Sequence, residues 1–512
     1  MDRPVRASDF PERSIHQSDE RSRLINTKIP NVNASATEGP RPTGPPHKAL
    51  LYIAVLLLLV AVQSGAGILQ AIPLNQVFED IICRNFHANV APANQGPANQ
   101  ISCGDDKAVQ AELTLLKGWD GTISLVPGLL TAVPYGFAAD RYGHKMVLYL
   151  CILGLSLGTC FTIAICWWSN VFPIRLIWLS SLFTLIGGGP PVFSAIIFSM
   201  LTNLSSDIYR STVFFCLGIV TMISQLLMSS VAAWLMQFEL WLPIWIGSSA
   251  SCCCLFIPLF LPETQQELES QSPVDTGSDN APFNDHLDAA SKTKTIWSQL
   301  QDSVLKSKTA IAFFIQGNKH ILMLLLTFLV TTLGKHSHDI LLQFARKRYG
   351  WSWSQAGYLI TLKSLVDLLL LVVILPSTSY IMTKVLSTSA RFKDFWMARA
   401  SCAFLALGVL TTGLSSKESI MIIGLVLYCM GSAYNLILRS LLASLIQPNH
   451  RASLFNFIGM LENLGALVAG PLLVVSFQVG LRLEGVWIGL PFVAAGVLFI
   501  SALIVLCSVR LP

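Results

Sequence analysis

Long runs of apolar residues alternate with short polar connections along most of this chain. Each run holds roughly 20 residues, which is the length that an α-helix needs to cross a bilayer. The first six lie at about 49–74, 121–139, 146–165, 174–204, 212–233 and 241–261, and the last six at about 320–342, 355–375, 397–414, 420–446, 454–477 and 487–507. The pattern predicts an all-α membrane protein with twelve transmembrane helices, six on either side of a polar segment.

Polar segments divide the chain into four parts. Residues 1–47 are rich in Pro, Ser and Asn and have no hydrophobic period, so we expect a disordered tail rather than a cleavable signal peptide, which needs a short apolar core. Residues 48–261 hold the first six predicted helices, and residues 320–512 hold the last six. Between them, residues 262–319 carry several acids and no apolar run long enough to span a membrane, which predicts a hydrophilic middle loop.

Composition excludes a water-soluble fold. Hydrophobic residues make up 53% and charged residues 12% of the 512 positions, against about 25% charged residues in an ordinary soluble domain. The formal net charge of +5 does not indicate nucleic-acid binding, because in a membrane protein the distribution of Lys and Arg between the two sides matters more than their sum. An even number of helices puts both termini on one side. That side carries most of the Lys and Arg, so we predict that both termini are cytosolic.

Two cysteines lie in the longest predicted outer loop, residues 75–118. Cys83 and Cys103 either form a disulfide that clasps this loop or stay as two free thiols, since both would face an oxidising compartment. The other cysteines lie in apolar runs, where Cys behaves as a small hydrophobe. No His or acid stands at zinc-ligand spacing near the Cys run at 252–254, so we predict no metal site and no cofactor.

Several charged and amide side chains interrupt the apolar runs. Burying an ionised group at the bilayer centre costs about 2.5–3.5 kcal/mol on insertion scales, so such residues usually face a water-filled cavity or a partner. Helices seven and eight each contain a Lys and an Asp four residues apart, which places the two on one face. The candidates for a solute or proton path are Gln63 and Gln70 in helix one, Arg175 in helix four, Lys335, His338 and Asp339 in helix seven, Lys363 and Asp367 in helix eight, Asn435 and Arg439 in helix ten, and Glu462 in helix eleven.

Most of these side chains have a purely structural alternative. Lys363 and Asp367 are either a self-neutralising pair or part of the path. The helix-seven cluster lies near the predicted outer end of its helix, where snorkelling to water removes much of the cost. We expect the basic run at 346–348, beyond that end, to be a solvated patch. Glu462 lies well inside its run, so it needs a distant partner, a proton or water, and it is our first choice for proton coupling.

A short polar connection between helices two and three carries the most specific motif. It reads Gly-Phe-Ala-Ala-Asp-Arg-Tyr-Gly-His-Lys from Gly136 to Lys145, and it resembles the signature loop at this place in transporters of the major facilitator superfamily. The resemblance implies that this hairpin locks the two halves of the carrier together on the cytosolic side when the carrier faces outward. Gly136 would then pack closely against helix eleven, Asp140 would lie at the N-terminal end of that helix, and Gly143 would permit the turn.

The same resemblance implies partners for the rest of the motif. Arg141 would reach the inner end of helix four, where Asp207 is the candidate partner and Arg210 follows in the next turn. Lys145 would complete the basic end of the hairpin. His144 stands where the superfamily usually has Arg or Lys, which indicates either a pH-sensitive lock or simple tolerance.

The segments 79–84 and 350–358 are similar to superfamily members from filamentous fungi, many of which export small organic compounds. The resemblance implies two pseudo-symmetric six-helix bundles that enclose a central cavity and work by alternating access. We therefore expect a proton-coupled exporter of a small organic solute. The alternatives are an uptake carrier or facilitator, and a solute sensor that does not transport. The expected partners are the lipid bilayer, the solute and protons.

Other classes of protein are disfavoured. The chain has no Gly-x-x-x-x-Gly-Lys-Ser/Thr loop to cradle phosphate, which disfavours an ATP-driven pump. No nucleophile, pair of acids or metal set stands at a compelling spacing, so we predict no enzymatic activity and no catalytic residue. We expect a multi-pass monomer in the plasma membrane rather than in an internal membrane, with no nucleic-acid partner.

Overall fold

The computed structural model describes residues 46–90, 103–205, 209–261, 319–385, 387, 389–446 and 451–509. The predicted tail up to residue 45 and the predicted middle loop from 262 to 318 lie outside these described residues. Everything described belongs to one compact unit. It is almost entirely helical, and the described ranges contain no β-strand.

The first half of the chain forms six helical segments that run alternately between the two ends of the molecule. They are α1 (Pro46–Val90), α2 (Lys107–Tyr142), α3 (His144–Trp167), α4 in three pieces (Ile174–Leu179, Ser180–Phe183 and Gly189–Leu204), α5 (Arg210–Leu235) and α6 (Leu242–Cys253, continued by a 3-10 turn over Cys254–Phe260). Pro190 lies in the first turn of the last piece of α4, where its missing N–H has no helical partner to lose.

The second half repeats this arrangement. It comprises α7 (Lys319–Lys335, a 3-10 turn over His336–Ile340, and Leu341–Tyr349), α8 (Trp353–Leu369, Leu370–Ile374, Leu375–Tyr380 and Ile381–Val385), α9 (Ala390–Leu414), α10 (Glu418–Met430 and Tyr434–Leu445), α11 (Arg451–Leu483) and α12 (Gly485–Gly489 and Leu490–Ser508). A capping box begins α8: the Gln355 N–H donates to Ser352 Oγ at 3.2 Å, and the Ser352 N–H donates to Gln355 Oε1 at 3.0 Å.

Length and composition agree with a membrane-spanning bundle. Within the described residues, 10 helices are long and apolar enough to cross a membrane, and α4 adds two shorter apolar helices, Ile174–Phe183 and Gly189–Leu204. Together with α2, these segments form the twelve-helix arrangement of two six-helix bundles. The prediction of an all-α membrane fold is therefore confirmed.

The two ends of the molecule are named here by their landmarks. The disulfide end carries the bond between Cys83 and Cys103, and the hairpin end carries the turn at Gly143 between α2 and α3. α1 runs from the hairpin end to the disulfide end, and each following helix reverses direction.

Among the described residues, the buried core that contains side chains of both halves includes the disulfide end. At the disulfide end, a single continuous core includes side chains of the first half, such as Phe78 and Leu113, together with Phe344 and Phe492 of the second half. At the hairpin end, the first half has a separate core, which includes Leu148. Within the described residues, the two halves therefore share a core at the disulfide end, and the hairpin end of the first half has a core of its own.

Helix boundaries differ from the predicted ones mainly at the disulfide end. α1 continues to Val90 instead of ending near Leu74, and α2 begins at Lys107 instead of Gly121, so the predicted loop over 75–118 is largely helical. α7 likewise runs to Tyr349. These extensions are polar, so a search for apolar runs misses them. Their polar groups are instead satisfied by contacts between helices.

Candidate functional site

A buried carboxylate joins the two halves at the disulfide end. The Glu79 side chain in α1 is 0% exposed. Its Oε1 accepts hydrogen bonds from Gln110 Nε2 of α2 at 2.5 Å and from Arg346 Nε of α7 at 2.8 Å. Its Oε2 accepts from Trp353 Nε1 of α8 at 2.6 Å. A charge can be buried at little net cost only when it is paired and hydrogen-bonded in this way.

Further contacts surround this carboxylate. Gln343 of α7 donates from Nε2 to the Gln110 carbonyl oxygen at 2.7 Å and to its side-chain oxygen at 3.0 Å. Arg346 Nη1 donates to the Trp351 carbonyl oxygen at 3.2 Å. Gly104 lies directly over the guanidinium, since a Cβ there would be 3.3 Å from Arg346 Cζ. We call Glu79, Gln110, Gln343, Arg346 and Trp353 the disulfide-end latch.

The basic run beside the latch is not the solvated patch that the sequence predicted. Arg346 is paired with Glu79, and its two neighbours, Lys347 and Arg348, are half-buried. Lys347 Nζ donates to the Asp105 carbonyl oxygen, and Arg348 donates to the Gly485 carbonyl oxygen. The prediction is wrong because α1 and α2 extend far enough to cover this surface.

A disulfide braces the first-half side of the latch. The structure joins Cys83, near the end of α1, to Cys103, just before α2, with 5.9 Å between their Cα atoms. Cys103 precedes Gly104, which lies against Arg346. The bond therefore holds the segment before α2 over the latch.

Two further helix pairs close the disulfide-end half of the interface. α2 and α11 approach closely at Gly118 and Gly470, where a Cβ on Gly118 would lie 3.1 Å from the Gly470 carbonyl oxygen. Small residues permit such backbone contact between membrane helices. Between α5 and α8, Ser229 Oγ lies 3.0 Å from Thr361 Oγ1, and Ser354 Oγ donates to the Ala233 carbonyl oxygen at 2.6 Å.

Toward the hairpin end, the same helices stand apart. Gly136 of α2, Gly218 of α5 and Gly459 of α11 all have open space where a Cβ would point, with no atom within 4 Å. Among the described residues, the close packing of Gly136 on helix eleven is not seen, and the contacts between the halves named above lie at the disulfide end.

The hairpin itself is a tight turn. Gly143 ends α2 and precedes α3 with φ 95° and ψ 145°, a backbone conformation that favours glycine, and its N–H donates to the Ala139 carbonyl oxygen at 3.1 Å. Lys145 Nζ donates to the Leu259 carbonyl oxygen at the end of α6, at 3.4 Å. Arg141 is exposed, with its guanidinium 5.5 Å from the Tyr142 ring centroid.

Several predicted members of the hairpin lock fall outside the described part of the chain. They are Asp207 and the side chains of Asp140 and Arg210. His144 faces α4, and its Nε2 lies 2.7 Å from Ser199 Oγ. The lock between α2, α4 and α11 therefore stays a prediction.

Near the middle of the second half, Glu462 finds the partner that the sequence required. Glu462 Oε2 of α11 accepts from Arg439 Nη2 of α10 at 2.5 Å, and its Oε1 accepts from Asn435 Nδ2 at 3.0 Å. Asn435 and Arg439 lie one turn apart on α10, so both reach the same carboxylate. The Glu462 side chain is 22% exposed. It is thus neither isolated nor sealed from water.

Two lysines complete this cluster. Lys363 Nζ of α8 lies 3.0 Å from Asp367 Oδ2, one turn along the same helix. Lys335 of α7 is half-buried and lies within electrostatic range of both Glu462 and Asp367. We call Lys335, Lys363, Asp367, Arg439 and Glu462 the midplane cluster.

The rest of the helix-seven motif makes its direct contacts outside the cluster. A 3-10 turn over His336–Ile340 replaces the α-helix there, and side chains three apart eclipse one another in a 3-10 turn. Asp339 therefore pairs with His336 at 2.7 Å, whereas helical spacing had placed it on the same face as Lys335. His338 stacks on Tyr428 with 3.6 Å between ring centroids, as a packed ring.

Comparison with known proteins agrees with this geometry. The sequence profile of the Major Facilitator Superfamily matches residues 110–470. The chain belongs to this superfamily. It is therefore a membrane transporter, and the predicted membership of the superfamily is confirmed.

Individual relatives are similar along nearly the whole chain. The MFS efflux pump atnC of Emericella nidulans is 29% identical over 479 residues, which cover 92% of this chain and 90% of the relative. The efflux pump ustT of Aspergillus flavus is 28% identical over 477 residues, covering 91% and 89%. Among solved structures, a D-xylose-proton symporter matches with a TM-score of 0.59 at 12% identity, covering 91% of this chain and 98% of that one. This last likeness shows the fold alone.

Three predicted path residues of the transporter lie elsewhere. Gln63 Nε2 donates to Ser251 Oγ of α6 at 3.2 Å, and Gln70 is buried against Gly247 of the same helix. Both therefore tie α1 to α6. Arg175 lies at the disulfide end, 2.8 Å from Glu112 of α2, with a side chain that is 60% exposed. The structure does not place these three residues with the midplane cluster.

Sequence reasoning missed the disulfide-end latch of the transporter. Glu79, Gln110 and Gln343 lie beyond the predicted helix ends, where polar side chains look like loop residues. One available signal was spacing, because Asn75, Glu79 and Cys83 follow one another at single-turn intervals and continue the helix. Within the described ranges, no group of three His, Cys, Asp or Glu side chains could hold a metal ion.

Proposed function

We propose that this transporter exports a small organic solute by alternating access, with its hairpin end in the cytosol. One observation carries the proposal: the halves are joined through Glu79 and Arg346 at the disulfide end, whereas the described residues at the hairpin end of the first half form a core of their own. A carrier in this conformation accepts solute from the hairpin side. The distribution of Lys and Arg supports a cytosolic hairpin side, and a disulfide at the opposite end fits an oxidising compartment.

Export is the direction favoured by the relatives. Two of them, from Emericella nidulans and Aspergillus flavus, are named efflux pumps. The solute would bind from the cytosol in the present conformation and leave after the disulfide-end latch opens. In the opposite conformation the hairpin lock would form, with Gly136 and Asp140 on α11 and Arg141 reaching Asp207 and its neighbour Arg210.

Protons are the proposed driving ion, with Glu462 as their carrier. The carboxylate is held by Arg439 and Asn435 and remains partly exposed. Protonation would free Arg439 without leaving a bare buried carboxylate, so the group can alternate between a proton and an ion pair. That exchange is the property that proton coupling requires.

The surrounding organisation is proposed as follows. Two bundles, 48–261 and 320–512, would be joined by a cytosolic middle loop over 262–319 and preceded by a cytosolic tail over 1–47. The transporter would act as a monomer in the plasma membrane, without a cofactor, a nucleic-acid partner or enzymatic activity.

Two linked experiments test this function. Small molecules in the growth medium are first compared between cells that overexpress the chain and cells that lack it, and a compound enriched by overexpression identifies a solute. That compound is then loaded with the purified chain into proteoliposomes under an imposed pH gradient. We expect gradient-driven movement that a protonophore abolishes. Glu462→Gln should lose the driven movement and keep solute exchange, whereas the exposed Glu418→Gln should behave as wild type.

Other outcomes would replace parts of the proposal. Flux that ignores the pH gradient would indicate a facilitator, and gradient-driven accumulation on the hairpin side would indicate uptake. Binding without flux would indicate a solute sensor. Unchanged coupling in Glu462→Gln would remove Glu462 from the mechanism.

A further inference from the structure

Three tryptophans of the first half gather at the disulfide end. Trp167 ends α3, Trp241 directly precedes α6, and Trp245 lies one turn later in α6. The Trp167 ring centroid lies 5.2 Å from that of Trp241 and 5.8 Å from that of Trp245. The centroids of the two α6 rings are 6.3 Å apart. We call these three residues the tryptophan corner.

The rings of the tryptophan corner meet at large angles instead of stacking. The plane of the Trp167 ring is inclined by 79° to that of Trp241 and by 68° to that of Trp245. The two α6 rings are inclined to each other by only 32°. Trp167 remains 57% exposed and Trp245 48% exposed. Two rings at a large angle to each other therefore keep much of their surface uncovered.

The tryptophan corner lies at the membrane interface, away from the second half. α3 packs mainly on α2, α4 and α6, and α6 packs mainly on α1 and α3. Both α3 and α6 are long and apolar enough to cross a membrane, and the three rings lie at the disulfide ends of these spans. Tryptophan rings are favoured at the level of the lipid headgroups. Lipid headgroups are therefore the neighbours of these rings.

Polar groups beside the tryptophan corner match a zwitterionic headgroup. Within the described ranges, the three indole N–H groups donate no hydrogen bond, so they are available to an oxygen of a lipid. Arg84 of α1 is exposed and donates from Nη2 to Ser169 Oγ at 2.5 Å, two residues beyond Trp167. Glu239 is exposed and stands two residues before Trp241. A cation and an anion thus adjoin the corner on the two helix ends that form it.

Phosphatidylcholine combines the groups that such a surface recognises. Its phosphate pairs with a guanidinium, and its quaternary ammonium, which has no N–H, is the cation that aromatic faces bind most characteristically. The ammonium of phosphatidylethanolamine is compact and strongly hydrated, as in a Lys side chain, so it gains less from an aromatic face. An anionic phospholipid has no cation to place on the rings.

We infer that the tryptophan corner binds the headgroup of phosphatidylcholine in the leaflet at the disulfide end. The trimethylammonium group lies against the exposed faces of Trp167 and Trp245, and the phosphate lies toward Arg84. The site is separate from the midplane cluster and does not depend on the proposed export function.

Competition between two lipids tests the inference. The purified full-length chain in detergent is mixed with equal amounts of phosphatidylcholine and phosphatidylethanolamine that have identical acyl chains, and the retained lipid is counted by native mass spectrometry. We expect wild type to retain phosphatidylcholine about two- to fivefold more often. The double variant Trp167→Leu, Trp245→Leu should bring this ratio close to one, because it removes the aromatic faces and keeps the apolar surface.

Three variants separate headgroup recognition from an ordinary interfacial anchor. Trp487→Leu is the matched control, because Trp487 is 52% exposed at the disulfide end of α12 and lies outside the corner, so its ratio should match wild type. Arg84→Gln should lower retention of both lipids and keep their ratio, since both carry a phosphate. Trp245→Phe retains an aromatic face and should keep most of the preference.

The unfolding midpoint without lipid shows whether each variant is folded. Equal retention of the two lipids by wild type, or an unchanged ratio in the folded double variant, would overturn the inference. An equal loss of preference in Trp487→Leu would also overturn it, because the preference would then belong to interfacial tryptophans in general.

Discussion

Glu79 of α1 and Arg346 of α7 form an ion pair across the two halves of the transporter, with Arg346 Nε 2.6 Å from a carboxylate that is fully buried. Lys107 and Glu484 form a second cross-half ion pair nearby, but their side chains are 53% and 59% exposed. Exposed ion pairs contribute about 0–1 kcal/mol to the stability of a fold, whereas breaking a buried ion pair destabilises the fold by about 3–5 kcal/mol. The buried pair should therefore hold the disulfide end closed.

Glu79→Gln should open the disulfide end more often. The substitution keeps an acceptor oxygen for only one of Trp353 and Gln110, turns an NH2 group toward the other donor and leaves Arg346 without a counter-charge, so the closed conformation loses stability. A reporter cysteine at Thr114, which is 1% exposed and lies one turn from Gln110 in α2, measures opening. We expect its labelling by a membrane-impermeant maleimide to increase by about tenfold or more.

Lys107→Gln is the matched control for this measurement. It also removes a charge from a cross-half ion pair, but from an exposed one. Its labelling should stay within about twofold of wild type, after subtraction of the signal from the chain without the reporter cysteine. Equal labelling in the two variants would show that Glu79 does not hold the latch closed.

Loss of the disulfide should destabilise the segment that covers Arg346. Cys83 and Cys103 are 20 residues apart. In the chain-entropy model, a disulfide that closes a loop of this size adds about 3 kcal/mol to the free energy of unfolding. Replacing both cysteines with Ser should lower the unfolding midpoint by a few degrees and increase labelling of the Thr114→Cys reporter. If the double variant matched wild type in both measurements, the bond would be irrelevant to the latch.

Gly470→Ala should force α2 and α11 apart at the disulfide end. A Cβ at Gly470 would run into the Gly118 carbonyl oxygen and the Thr122 side chain, and backbone cannot yield as a flexible side chain can. The reporter at Thr114 should then label several-fold faster. Gly459→Ala, on the same helix with open space around its Cβ, should have no effect.

Gly136→Leu should act in the opposite direction. Gly136 faces open space in the present conformation, so a larger side chain is accommodated here. In the hairpin lock implied by the superfamily motif, the same side chain would collide with α11. Labelling of Thr114→Cys should fall below wild type, and transport should slow. Faster labelling would argue against a lock at Gly136.

The sequence specified the fold well because the membrane imposes a simple rule. Apolar runs of about 20 residues mark the spans, and the hairpin motif supports the superfamily. The same rule explains the errors in α1, α2 and α7. The polar extensions of these helices carry side chains whose hydrogen-bonding and ion-pair partners are distant in the chain, as with Glu79 and Arg346. No local sequence pattern encodes that pairing.

The midplane cluster was predictable in part. The expected cost of a charge at the bilayer centre singled out Lys335, Lys363, Asp367, Arg439 and Glu462 as candidates. Which of them pair with one another depends on the packing of α7, α8, α10 and α11 and on the 3-10 turn in α7. That turn redirected Asp339 toward His336, and it could not be read from helical spacing.

Removal of Arg439 alone should destabilise the transporter more than removal of Arg439 and Glu462 together. Arg439→Gln leaves the Glu462 carboxylate with only Asn435 as a direct partner, whereas the double variant Arg439→Gln, Glu462→Gln removes both charges and keeps the net charge of the cluster. Because both side chains are partly exposed, the cost of the single variant should lie between the about 0–1 kcal/mol of an exposed pair and the about 3–5 kcal/mol of a buried one. Unfolding midpoints of wild type, both single variants and the double variant form a complete cycle. Purely additive shifts would mean that the ion pair between α10 and α11 contributes nothing, and that Glu462 is held by Asn435 and by the field of Lys335 instead.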